Sequence, residues 1–126
     1  MEKKLVYDMH AEHVEWINKM LFYKDEIVVM RRRLSEVATK NSDKEVQAMV
    51  EHFQNQLIVQ DEQADILKHT IKQYENTIES HLSKNDTAAD KLKWDDHSDL
   101  RGKVEMFEKI INELRSELIN FLAKYI

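Results

Sequence analysis

The chain has 126 residues and a formal net charge of -5, with 34% charged and 42% hydrophobic residues, one glycine, no proline and no cysteine. The lack of cysteine excludes a disulfide framework, a thiolate nucleophile and a zinc knuckle, and the acidic balance opposes the phosphate attraction that nucleic-acid binders rely on. Proline and glycine are the usual helix breakers, so their near-absence predicts a few long helices in a single domain.

Met1 to Leu5 holds two lysines but no apolar stretch long enough for a signal peptide. Nowhere do about 18 apolar residues run together, so a cytoplasmic chain with no membrane insertion is expected. From Val6 onward, apolar or aromatic residues recur at alternating steps of three and four: Val6, Met9, His13, Trp16, Met20, Tyr23, Ile27, Met30, Leu34, Val37. That heptad rhythm predicts a first helix over about residues 2–40. A neighbouring row, Val14, Ile17, Leu21 and Val28, is expected to widen the buried stripe so that the helix touches two neighbours. Arg31, Arg32 and Arg33 are the one basic run, and they suit the negative end of the helix dipole better than a phosphate site.

Asn41, Ser42 and Asp43 form a turn signal, and Ser42 with Glu45 reads as a capping box. A second helix is expected over about 43–84, its seam running Val46, Val50, Phe53, Leu57, Gln60, Ala64, Leu67, Ile71, Tyr74, Ile78, His81. A break at the polar stretch Gln60 to Gln63 would give a four-helix bundle instead. Off the seam, Ile58, Val59 and Ile66 form a candidate contact with a second copy or a partner helix. Asp65 and His69, four apart, read as a solvated surface pair.

After Asn85, Asp86 and Thr87, a third helix is expected over about 87–125, or starting near 95. Its phase is plain from Leu100 through Val104, Phe107, Ile111, Leu114, Leu118, Phe121 and Tyr125, while Ala88, Ala89, Leu92 and Trp94 fall off it. Phe121, Leu122, Tyr125 and Ile126 either close the core or reach a partner.

Three such helices joined by short turns predict an elongated, antiparallel three-helix bundle, each rod about 58 Å long at about 1.5 Å per residue. In architecture it is similar to spectrin-type triple-helical repeats, which also carry a tryptophan on the seam of the first helix, as Trp16 is here. Residues equidistant from a turn face one another, so numbers add to about 83 across the first turn and about 171 across the second. Trp16 then faces Leu67 and the stretch from Gly102 to Val104, with the glycine making room for the indole.

The same rule brings His10, Tyr74 and His97 to one level, with His13 one turn further in. His10 and His13 share a face and, with His97 and a nearby Asp96 or Glu12, are candidate ligands for a divalent metal such as zinc. The alternative is a hydrogen-bonded polar layer that sets helix register, with no cofactor. No glutamate precedes a histidine by three residues, as di-iron bundles require, and neither a zincin motif nor a phosphate loop is present. A non-enzymatic interaction or scaffold protein, acting through its helix faces on a protein partner or on itself, is therefore expected.

Overall fold

The computed structural model of the protein describes the backbone of residues 3–84 and 87–125, and side chains over 7–80 and 96–125. Three helices make up the fold: α1 (Lys3–Lys40), α2 (Lys44–Lys84) and α3 (Thr87–Tyr125). Every pair of helices is in contact, and the result is a three-helix bundle. Helix α2 runs unbroken through Gln60 to Gln63, so the four-helix alternative does not hold. Helix α3 is continuous from Thr87, which removes the late start near residue 95. Expectations placed on Val6, His81, the turn at Asn85 and Asp86, Ile126, and the side chains of residues 87–94 lie outside the described residues.

The first turn differs in detail from the expected capping box. The cap is Asp43, whose Oδ1 accepts the backbone N–H of Glu45 at 2.7 Å, so α2 begins one residue later than a Ser42 cap implies. A carboxylate also suits the positive end of the helix dipole. On the other side of the turn, the Asn41 side chain donates to the Val37 carbonyl at 2.9 Å and Gln47 donates to Ala38 O at 2.7 Å, which satisfies two carbonyls at the end of α1.

The seams read from the sequence form the core. Met9, Trp16, Met20, Tyr23, Ile27, Met30, Leu34 and Val37 are buried on α1, with Leu57, Ala64 and Ile71 of α2 and Val104, Ile111 and Leu118 of α3 closing the centre. Phe121, Leu122 and Tyr125 pack against this cluster, Phe121 lying 5.2 Å from Phe53 ring to ring, so the apolar C-terminal turns close the core.

Two expectations fail. Of the second row on α1, only Ile17 is partly buried, while Val14, Leu21 and Val28 are exposed. The reason is angular. Polar residues of α1 fill both flanks of the seam, Lys24 and Arg31 toward α2 and Glu12, Lys19 and Glu26 toward α3, and Val14, Leu21 and Val28 fall one step beyond the α2 flank. Nor does Gly102 make room for Trp16. It is exposed, and a Cβ built on it would meet nothing within 4 Å. With no packing reason for glycine, Gly102→Ala is expected to stabilise the protein by roughly 0.5–1 kcal/mol through lower backbone entropy in the unfolded chain. An unchanged or lower urea midpoint would contradict that assignment.

Candidate functional site

The heptad phase carries His13 onto the seam of α1 and His97 onto the seam of α3, where apolar residues stand in the neighbouring layers. Both are buried, at 1% and 0% exposure. His13 rather than His10 lies level with Tyr74, at 5.4 Å between rings, and with His97, at 4.9 Å. The helix pairing is thus offset by about one turn from the expected register. Trp16 shifts with it and stacks on His97, 5.0 Å away with 27° between the planes, instead of reaching Gly102.

The polar atoms of this layer form a chain across all three helices. Glu75 of α2 takes contacts from Nδ1 of both His10 and His13, one on each carboxylate oxygen. His13 Nε2 lies 2.9 Å from His97 Nδ1, and His97 Nε2 lies 3.0 Å from Glu12 Oε1. Arg101 then grips Glu12 in a bidentate pair, its Nη2 donating to Oε1 at 2.6 Å and its Nε donating to Oε2 at 3.0 Å. The two carboxylates dictate where hydrogens sit. Both are held below the usual carboxylate pKa: Glu12 chiefly by the Arg101 hydrogen bonds, and Glu75 because the contacts from His13 and His10 outweigh its burial.

Ionised carboxylates can only accept, so His13 Nδ1 and His97 Nε2 each carry a hydrogen. Two neutral rings would then point lone pair at lone pair across 2.9 Å. A hydrogen bond between His13 Nε2 and His97 Nδ1 in this arrangement forms only when one of the two facing nitrogens carries a further proton. A second extra proton would turn both facing nitrogens into donors. His97 resists it: burial, the largest influence, pushes its pKa below the ordinary histidine value, with Glu12 opposing. Burial also pushes the Tyr74 hydroxyl well above the usual phenol range, so it stays neutral.

The structure thus brings His13 and His97 into direct contact and ties exposed His10 to the same carboxylate as His13. They form a hydrogen-bonded layer, and among the described residues no group of three histidine or acidic side chains is arranged to hold a metal ion. Asp96 is exposed, whereas Glu12 joins the chain. Glu75 and Arg101 are members that the sequence does not single out. They stand on helix flanks, where a charged residue is the ordinary choice and no periodicity marks it.

The three outer grooves of the bundle differ. Between α1 and α2, Lys24 bridges Asp61 at 3.0 Å and Asp65 at 2.8 Å, and Arg31 donates to Gln54 at 2.9 Å. Asp65 thus pairs across helices instead of with His69. Between α1 and α3 run three cross-helix pairs of alternating sign: Glu12 with Arg101, Lys19 with Glu108 at 3.0 Å, and Glu26 with Arg115. Between residues 52–70 of α2 and 103–117 of α3, among the described residues, no ion pair or side-chain hydrogen bond crosses.

That third groove has an apolar floor and stripe among polar residues such as Asn55, Gln56, Gln60 and Gln63. Two open depressions of about 470 and 420 Å³ meet at Gln60 and Ile110, with Leu114 lining the first and Leu67 and Phe107 the second. Val59, Ile66, Met106 and Ile110 stand exposed along it. Of the sequence-predicted contact residues, Val59 and Ile66 therefore line this groove. Ile58, 37% exposed, lies between Gln54 and Asp61 on the flank toward α1.

Fold and surface together define an all-α three-helix bundle with a polar layer toward one end and, among the described residues, a stretch of the α2–α3 groove (52–70 against 103–117) that no side-chain pair bridges. Comparison with protein-family models, with curated proteins and with solved structures finds no match to the chain. No helix among the described residues is long and apolar enough to cross a membrane.

Proposed function

We propose that the protein is a non-enzymatic, cytoplasmic interaction module whose α2–α3 groove receives an amphipathic helix of a partner protein. One observation carries this reading: polar bridges span the other two grooves, and between residues 52–70 and 103–117 the third is left unbridged, with large apolar side chains exposed among its polar ones. A helix laid in it would complete a four-helix arrangement and cover Val59, Ile66, Met106 and Ile110. The groove follows α2 from His52 to Thr70, about 27 Å at about 1.5 Å per residue, which is room for about five turns. Its rim is acidic at one end, with Glu113 and Glu117, and basic at the other, with Lys103. The partner helix is therefore basic where it passes the two glutamates and acidic beside Lys103. The net charge of -5 argues against nucleic acid as the partner, and the cysteine-free composition suits a reducing compartment.

The test compares immobilised wild type with the double variant Ile66→Asp, Met106→Asp, after circular dichroism has shown that both are equally helical. A helical protein retained by wild type, lost from the double variant and weakened by Lys103→Glu is the expected result. Equal retention on both surfaces would sink the reading. Elemental analysis of untagged protein bears on the rival: stoichiometric zinc, iron or copper would replace this reading with a metal-binding one.

A further inference from the structure

Helix α1 has a second apolar face, turned away from the core and separate from the groove. Val14, Leu21 and Val28 repeat every seven residues along one side of it, and Phe22 and Val29 along the other. These five are 45% to 59% exposed. Between them, also seven apart, runs a midline of Ala11, Asn18, Asp25 and Arg32, directly opposite the buried seam. A helix that only needed to bury one seam would carry charged residues at most of these places.

The charges on this face are unevenly placed. Asp8 and Glu15 stand toward its start, Glu15 lying 3.4 Å from Lys19 of its own helix, and Arg32 stands on the midline toward its end, with Arg31 and Arg33 on the flanks and Glu36 beyond Val29. Arg31 is engaged by Gln54 and Arg33 by Glu36, while Arg32 makes no ion pair among the described residues. A second α1 laid parallel would set Arg32 against Arg32, whereas an antiparallel one sets it near Asp8 and Glu15. The midline is self-complementary in the same sense. About a two-fold axis passing between Leu21 and Phe22, Asn18 falls opposite Asp25 of the second copy, where its amide can donate to the carboxylate. Leu21 meets Phe22 and Val14 meets Val29, while Val28 falls beside Glu15. Arg32 falls opposite Ala11, a residue small enough to leave the guanidinium between Asp8 and Glu15, one turn to either side.

We infer that the protein self-associates as an antiparallel dimer through the outer face of α1, with Asn18 of each copy opposite Asp25 of the other. The contact from Asp8 to Ser35, which the axis sets opposite each other, would run about 40 Å at about 1.5 Å per residue. It leaves the α2–α3 groove of each copy uncovered, so it stands or falls independently of the partner helix proposed above.

The chain has no cysteine, which permits a direct test by introduced disulfides. Light scattering should give twice the 15.1 kDa chain mass at high micromolar concentration. Under mild oxidation, Leu21→Cys, beside the axis, should cross-link with itself. Ala11→Cys and Arg32→Cys should each stay uncross-linked alone, and the variant carrying both should cross-link. Arg32→Glu should lower the dimer fraction at least tenfold, and adding Asp8→Lys with Glu15→Lys should restore it. A monomer throughout would overturn the inference. So would self-cross-linking of Arg32→Cys, which marks a parallel pair, or loss of the dimer in the groove variant Ile66→Asp, Met106→Asp, which marks the other surface.

Discussion

His13→Leu is expected to destabilise the bundle by about 3 kcal/mol, and the double variant His13→Leu, His97→Leu by markedly less than the sum of the two single changes. The single change leaves His97 Nδ1, fully buried, facing a hydrocarbon side chain, and removes one of the two contacts that hold the Glu75 carboxylate. Removing both imidazoles takes away the need for either to find a partner, and leucine suits a heptad seam. Urea unfolding of the four proteins measures the coupling, and strictly additive losses would show that the rings act independently. The same four proteins report on acid. Because His97 has its folded pKa below the ordinary value of 6.5, its contribution to stability is present above that pH and is lost as pH falls through the folded pKa. Glu12 and Glu75, lowered from 4.5, add a second loss further into acid. Wild type should therefore weaken between about pH 7.5 and 5 relative to the double leucine variant, which lacks the first of these windows. Parallel curves across that interval would refute the buried-pair assignment.

Trp16→Ala is expected to have the largest effect of any single change considered, a loss of about 3–5 kcal/mol. The indole is 5% exposed, lies 5.4 Å from His13 and stacks on His97, so its removal opens a cavity and also uncovers the polar layer to water. Trp16→Phe keeps part of the stack and should lose roughly half as much. Denaturant midpoints for both variants decide the point, and a loss under about 1 kcal/mol for alanine would mean that the neighbours collapse into the space.

The seams were legible because burial acts on every third or fourth residue for the whole length of each rod, and that repetition is visible in one dimension. From Met9 to Val37 each seam residue is buried. What repetition cannot report is how far round the helix the neighbours reach. Val14, Leu21 and Val28 keep the heptad spacing as strictly as the core does, yet they face solvent, because spacing gives a face and says nothing of what covers it. The histidine layer was legible only to within a turn: the aligned seams put His10 level with Tyr74 and His97, whereas His13, expected one turn further in, is the ring that meets them. Which nitrogen meets which acid was not legible, because Glu75, Glu12 and Arg101 sit on flanks where charge is commonplace. Gly102 misled for a related reason: one turn of offset moved Trp16 away from it and onto His97.

The three charged pairs joining α1 to α3 also protect the alignment of those rods. Glu12, Lys19 and Glu26 are spaced seven apart, as are Arg101, Glu108 and Arg115, and opposite signs meet at every rung. An apolar seam with a seven-residue repeat would accept a slip of one whole repeat almost as readily as the native match. Such a slip would bring Glu12 to Glu108 and Lys19 to Arg115, like charge on like, so the misaligned bundle is repelled at each rung where the native one is held. The ladder therefore works as a key cut for a single lock position: hydrocarbon glues the rods together, and the order of the charges decides where they stop sliding.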